Sequence, residues 1–138
     1  MADLARFGVS VEKELLTKFD KHIKDKNYPT RSKAIGDLIR ESLVKKEWIE
    51  GKEVVGAITL VYNHHRRELV NKLTDVEHDF HRLIISSQHI HLDEDNCLEI
   101  VVVKGKPREV DELAYSLKST KGVKHGSLTM ATTGKEIA

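Results

Sequence analysis

The chain has 138 residues, 39% of them hydrophobic and 33% charged, the composition of a globular protein with a modest core; disorder is excluded, and the length argues against a large enzyme built around a deep pocket. The formal net charge of +1 is too weak a field to hold a polyanion unless the basic groups cluster. A single cysteine excludes an internal disulfide, no apolar run is long enough to span a bilayer, and the opening MADLARFGVS has neither a secretory nor a transit pattern, so the expected setting is cytoplasmic, with no membrane partner.

Two small folding units are expected, over residues 1–50 and 51–138. The first carries eleven lysines and arginines against nine acids. Its residues 5–11, ARFGVSV, alternate strictly: Phe7, Val9 and Val11 on one side, Arg6, Gly8 and Ser10 on the other, which predicts a short two-sided strand. In EKELLTKFDKHIK, Leu15, Leu16, Phe19 and Ile23 recur at helical spacing up to the turn signal NYP. A second helix opens with Thr30 as N-cap and carries Ala34, Ile35, Leu38, Ile39 and Leu43 on one stripe. One strand and two helices cannot bury a core alone, so this unit is expected to dimerise by strand pairing.

The order strand, helix, helix, with TRSKAI opening the second helix, resembles the ribbon-helix-helix DNA-binding regulators. The resemblance implies that Arg6, Gly8 and Ser10 face base edges of double-stranded operator DNA in the major groove. Arg6 can fork onto guanine and Ser10 can bond to several bases, whereas Gly8 offers only backbone approach. Free N–H groups around Thr30 and Arg31 suit a phosphate oxygen.

The second unit reads βαββαβ. Residues 54–62 form a short β-branched run, and helical spacing follows from 65 to about 81 with Leu69, Leu73, Val76 and Phe80 inward. LIISSQHIHL and CLEIVVV form a hairpin closed by DEDN. A helix after Pro107 places Val110, Leu113, Ala114 and Leu117 inward and stops at Gly122, and VKHGSLTMA supplies the last strand. This is the ferredoxin-like, split βαβ arrangement, so the whole chain is α+β. Because VVGAITLV and LEIVVV are apolar on both faces, the sheet face without helices is expected to be buried by another chain. Two self-association surfaces predict a homotetramer, a dimer of dimers.

HIHLDEDNC brings soft donors together. Along a strand His89 and His91 share a face, and in a suitable register Cys97 joins them across the hairpin. Two imidazoles and a thiolate suit a borderline divalent ion. A fourth ligand is sought on the first helix of this unit, where His78, and to a lesser degree His81, turn away from the core stripe; on spacing alone His78 reads as a solvated surface histidine. The helices are taken to cover the face made by Ile90 and its neighbours, so His78 is expected to reach a hairpin across an oligomer interface.

Along nearly its whole length the chain resembles the nickel-responsive transcriptional regulators, through RSKAI with DLIR, VYNHHRREL, EHDFH, HIHLDEDNCLEIVVVKG and KGVKHG. The resemblance implies an ACT-like C-terminal domain and a square-planar Ni2+ site made of His89, His91 and Cys97 from one chain and His78 from a neighbour. Glu99 is expected to accept an imidazole N–H behind the ligands, and the resemblance implies Arg66 and Arg67 as phosphate contacts in the nickel-loaded, DNA-bound tetramer, with the role of a repressor of nickel uptake or nickel-related genes. Two positions depart from the family: Lys33 stands where the family has an acid that holds a cation with Asp37, so its ammonium is expected to replace that ion in part, and Gly8 removes a reading side chain. A metal storage or delivery protein would need the ligands without the ribbon, and a regulator sensing another small ligand would need no soft donors. No oxyanion cradle or cofactor loop points to an enzyme.

Overall fold

A computed structural model describes residues 3–137. Two compact units are present among them, residues 3–43 with 136–137, and residues 44–135.

In the first unit, helix α1 (Lys13–Asp25) turns at Asn27, whose φ of 61° lies in the left-handed region that asparagine tolerates. Helix α2 (Arg31–Glu50) follows, the longest in the chain. Thr30 Oγ1 accepts the N–H of Lys33 at 3.1 Å, the N-cap its sequence position predicts. Arg31 forks onto Asp20, Nε to Oδ1 at 2.8 Å and Nη2 to Oδ2 at 2.7 Å, tying α2 to α1. Residues 3–12 form no strand, contrary to the expectation for 5–11. A strand is a ladder of hydrogen bonds, and a single copy of this chain offers this segment no second strand. Phe7 and Val9 remain 68% and 62% exposed, and Val11, Leu15, Leu38, Ile39 and Leu43 are also exposed. The apolar stripes are covered only in part: Ile23 and Ala34 are buried and Leu16, Phe19 and Ile35 half-buried, while the rest lie open.

The second unit has the βαββαβ order. Strand β1 (Val54–Asn63) leads to α3 (Arg67–Asp79), and a 3-10 turn, His81–Leu83, leads to β2 (Ile84–His91). Then come β3 (Asn96–Gly105), α4 (Pro107–Lys118) and β4 (His125–Met130). The sheet is antiparallel in the order β2-β3-β1-β4. Pro107 opens α4, where its missing N–H has no helical partner to lose. Gly122, at φ +101°, allows the reversal after it.

The core lies between the helices and one sheet face. Val54, Ile58, Leu60 and Tyr62 of β1 and Cys97, Val101 and Val103 of β3 pack against Leu69 and Leu73 of α3 and Val110, Leu113, Ala114 and Leu117 of α4. Their alternates, among them Val55, Ala57, Val61, Leu98, Ile100 and Val102, are half-buried on the other face. Ile90 pairs with Leu98, and Leu98 with Val61, so Ile90 belongs to that second face. The helices therefore cover the face of Cys97, not that of Ile90 as expected. Both faces of these strands are apolar, and hydropathy alone does not say which the helices choose; the buried Tyr62 and Cys97 decide it. Among the described residues no helix is long and apolar enough to cross a membrane.

Candidate metal centre

The β2–β3 hairpin is set by its turn. Asp93 Oδ1 accepts the backbone N–H groups of Asp95 at 2.9 Å and Asn96 at 2.8 Å, an Asx turn, and the Asn96 amide also donates to Asp93. These bonds hold the Asp93 carboxyl below the usual range, the Asn96 amide contributing most. The resulting register pairs His91 with Cys97 and His89 with Glu99. All four side chains then lie on the helix-covered face.

The structure brings His89 and Cys97 together. His89 Nδ1 is 3.9 Å from Cys97 Sγ, while Nε2 of the same ring is 3.5 Å from Glu99 Oε2. One ring nitrogen faces the thiol and the other faces a carboxyl. Cys97 is 1% exposed, so its sulfur is buried yet in reach of the ring. Burial pushes its thiol up and Glu99 adds to this, whereas hydrogen bonds from Tyr62 and the Ile90 backbone work the other way. A metal bound here must displace the thiol proton.

Beneath the pair lies a cavity of 210 Å³ lined by Tyr62, Val70, Leu73, Thr74, Glu77, His89 and Glu99. Tyr62 Oη donates to Glu99 Oε1 at 2.8 Å and lies 3.4 Å from His89 Nδ1. Burial, reinforced by Glu99, raises the Tyr62 phenol beyond its ordinary range, so it stays a donor at any working pH. Glu99 is fully buried, and its Oε2 has no hydrogen-bond partner among the described residues. Glu77 lines the same cavity; burial, then its interaction with Glu99, push the Glu77 carboxyl up to about 8.

His91 is exposed, and its ring stacks on that of His64, centroids 4.6 Å apart and planes 11° apart. Burial, with His65 and His91 close by, lowers the His64 pKa. His78 lies in the last turn of α3, exposed, its ring 6.0 Å from that of His81. No described hydrogen bond or ring contact joins it to the hairpin. Among the described residues of this one chain, no three His, Cys, Asp or Glu side chains converge closely enough to hold an ion.

The residues expected at DNA are exposed. Arg6, Gly8 and Ser10 lie in the segment 3–12, and a Cβ added at Gly8 would meet nothing within 4 Å. Arg66 precedes α3 and Arg67 opens it, with no ion pair to either among the described residues. The Arg31 guanidinium is engaged by Asp20. Tyr62, Glu77 and His64 escaped the sequence reading. Tyr62 had a signal, since it ends an alternation whose cross-strand neighbour is Cys97; Glu77 had only its place beside His78.

Fold and donor set define the class: an α+β protein whose split βαβ unit carries a nitrogen-and-sulfur donor pair on its edge hairpin. Residues 55–131 match the family model of the NikR C-terminal nickel-binding domain. A relative from Syntrophus aciditrophicus, under the provisional name of nickel-responsive regulator, is 58% identical over 98% of both chains. Relatives with the same provisional name include one from Chlorobium phaeobacteroides, 52% identical over 96% of this chain and 98% of its own. Another, from Thermococcus onnurineus, is 54% identical over 97% and 98%. The chain belongs to this family of nickel-responsive regulators, whose role is regulatory rather than catalytic and whose metal is Ni2+. A solved structure of an uncharacterized protein from Thermotoga maritima shares the fold, with a TM-score of 0.52 at 16% identity over 57% of this chain and 98% of that one.

Proposed function

We propose that the chain is a nickel-dependent, sequence-specific DNA-binding transcriptional regulator. Ni2+ is held by His89, His91 and Cys97 of one chain and His78 of a neighbour. The observation that carries this reading is the hairpin pair, Cys97 Sγ at 3.9 Å from His89 Nδ1, with Glu99 behind the ring at Nε2. That donor set fits the ion: imidazole and thiolate are ligands for a borderline divalent metal, and a buried acceptor orients the ligand ring.

When bound, Ni2+ supplies a nitrogen-and-sulfur cross-link between two chains. His78 sits in the last turn of α3 and Arg67 opens that helix, so anchoring His78 restrains the whole helix and the basic pair at its start. Arg66 and Arg67 then contact phosphate, as does the α2 N-terminus at Thr30 and Arg31. Arg6, Gly8 and Ser10 meet base edges once two copies pair their segments 5–11 into a ribbon. The exposed Phe7, Val9, Val11, Leu38 and Ile39 support that dimer, because pairing gives them a shared core. The half-buried outer sheet face supports a second contact, which makes a tetramer. By linkage, operator DNA tightens nickel binding by the same factor as nickel tightens DNA binding.

Selection of duplex fragments from the organism's own genome, with and without Ni2+, tests this reading. Retention of specific fragments only with nickel is the expected result; equal retention in both rules out the switch. A storage or delivery protein would bind nickel and retain no fragment.

A further inference from the structure

We infer that His64 is a positioning residue of the metal centre: its imidazole, stacked flat on His91, fixes that ligand ring and ties it to the basic pair Arg66 and Arg67. The inference rests on the nickel reading above and adds a residue outside the donor set. His91 stands on the edge strand β2, is exposed, and has no hydrogen bond from its ring among the described contacts. Left alone, such a ring turns among rotamers and must be ordered when it takes a metal. The stack with His64, 4.6 Å between centroids and 11° between planes, is the contact that orders it beforehand.

His64 is itself held by the turn that carries it. Its backbone N–H donates to Asp95 O at 3.1 Å, and that of Arg66 to Asn63 O at 3.2 Å. The His65 N–H donates to Asn63 Oδ1 at 2.9 Å, and His65 Nε2 lies 2.9 Å from Glu94 O. Residues 63–66 are thus fastened to the tip of the hairpin that bears the donors. Among the described contacts the His64 ring makes no polar bond, and its Nδ1 is buried without a partner. Ring faces, not hydrogen bonds, decide where it sits. Arg66 and Arg67 follow directly, so an ordered His91 ring and an ordered basic pair are two ends of one short segment.

The test uses the full chain with Ni2+, comparing wild type, His64→Ala and His64→Phe. Three quantities are read: nickel affinity by chelator competition, the thiolate-to-nickel absorption band, and amide hydrogen exchange. His64→Ala is expected to bind nickel about 3- to 10-fold more weakly, the range of an aromatic pair. It should also lose the nickel-induced slowing of exchange at residues 64–67 while keeping that at 96–103, which a general loss of fold would not spare. His64→Phe, which retains a flat ring, restores both. His64→Ala matching wild type in affinity and exchange overturns the inference, and so does His64→Phe behaving like His64→Ala. If wild type itself shows no thiolate band, the nickel reading falls and takes the inference with it; a wild-type band with an unaltered Ala variant overturns the inference alone.

Discussion

Replacing Tyr62 by Phe removes one oxygen from the floor of the metal centre and leaves the ring packing intact. That oxygen donates to Glu99 Oε1 at 2.8 Å inside the core, and no other hydrogen bond to that carboxyl oxygen is described. A hydrogen bond to a charged group contributes about 1.5–3 kcal/mol, most of it the cost of leaving a buried acceptor without a donor. For a small protein with a urea slope of about 1 kcal/mol per molar, the metal-free midpoint should fall by roughly 1.5–3 M at fixed protein concentration, with the slope unchanged. The same substitution in a Glu99→Gln background should cost less, about 0.5–1.5 kcal/mol, because the acceptor is then neutral. Urea titrations followed by far-ultraviolet circular dichroism measure all four forms of the cycle. A midpoint unmoved by Tyr62→Phe, or an equal loss in both backgrounds, would refute the assignment of Glu99 as the partner the phenol satisfies.

Cys97→Ala and His89→Ala should each abolish the thiolate-to-nickel band and the nickel response of DNA retention while the circular dichroism spectrum stays that of a folded protein; a Cys97→Ala variant that still responds to nickel would exclude the sulfur as a ligand. The Arg31 fork holds the Asp20 carboxyl below the usual range, so its contribution is present above the unfolded-state pKa of about 3.9 and is lost as pH falls through the lower folded value; the thermal midpoints of wild type and Asp20→Asn should differ at neutral pH and draw together as the solution is acidified below the unfolded-state value, whereas a gap independent of pH would mean the ion pair is not its source. Lys33 Nζ sits 2.7 Å from Asp37 Oδ1, with Arg40 Nη1 at 3.0 Å, so DNA retention should differ little between potassium and sodium buffers and become cation-dependent in Lys33→Glu, and strong potassium dependence of wild type would contradict this. Gly122→Ala should destabilise the protein by about 1–2 kcal/mol, since its φ is left-handed and the new Cβ would meet Leu69 Cδ2 at 3.1 Å; calorimetry showing no loss would mean the turn relaxes freely.

The sheet unit was readable because each element has its own period and its own stop. Leu69, Leu73, Val110, Leu113 and Leu117 fall on helical stripes and are buried, while Pro107 and Gly122 mark the ends of α4. The nearness of His89 to Cys97 followed from hairpin spacing alone. Which face the helices cover did not: Leu98 and Val101 are equally apolar, so hydropathy has no preference between the parities. The strand over 5–11 was legible as a pattern, but the ladder that would make it a strand belongs to a second chain. His64 and Glu77 were invisible because neither sits at ligand spacing; their neighbours come from β2 and β3, far away along the chain.

The side of the sheet on which the imidazoles emerge is decided by the Asx turn at Asp93. Strand β3 is fastened to β1 along its length, so a one-residue slip in the hairpin register would fall on the edge strand β2. Both imidazoles would then swing to the outer face while the sulfur remained under the helices. The donor chemistry can drift by substitution, one side chain at a time; the register this turn sets can shift by one residue only by dismantling the site.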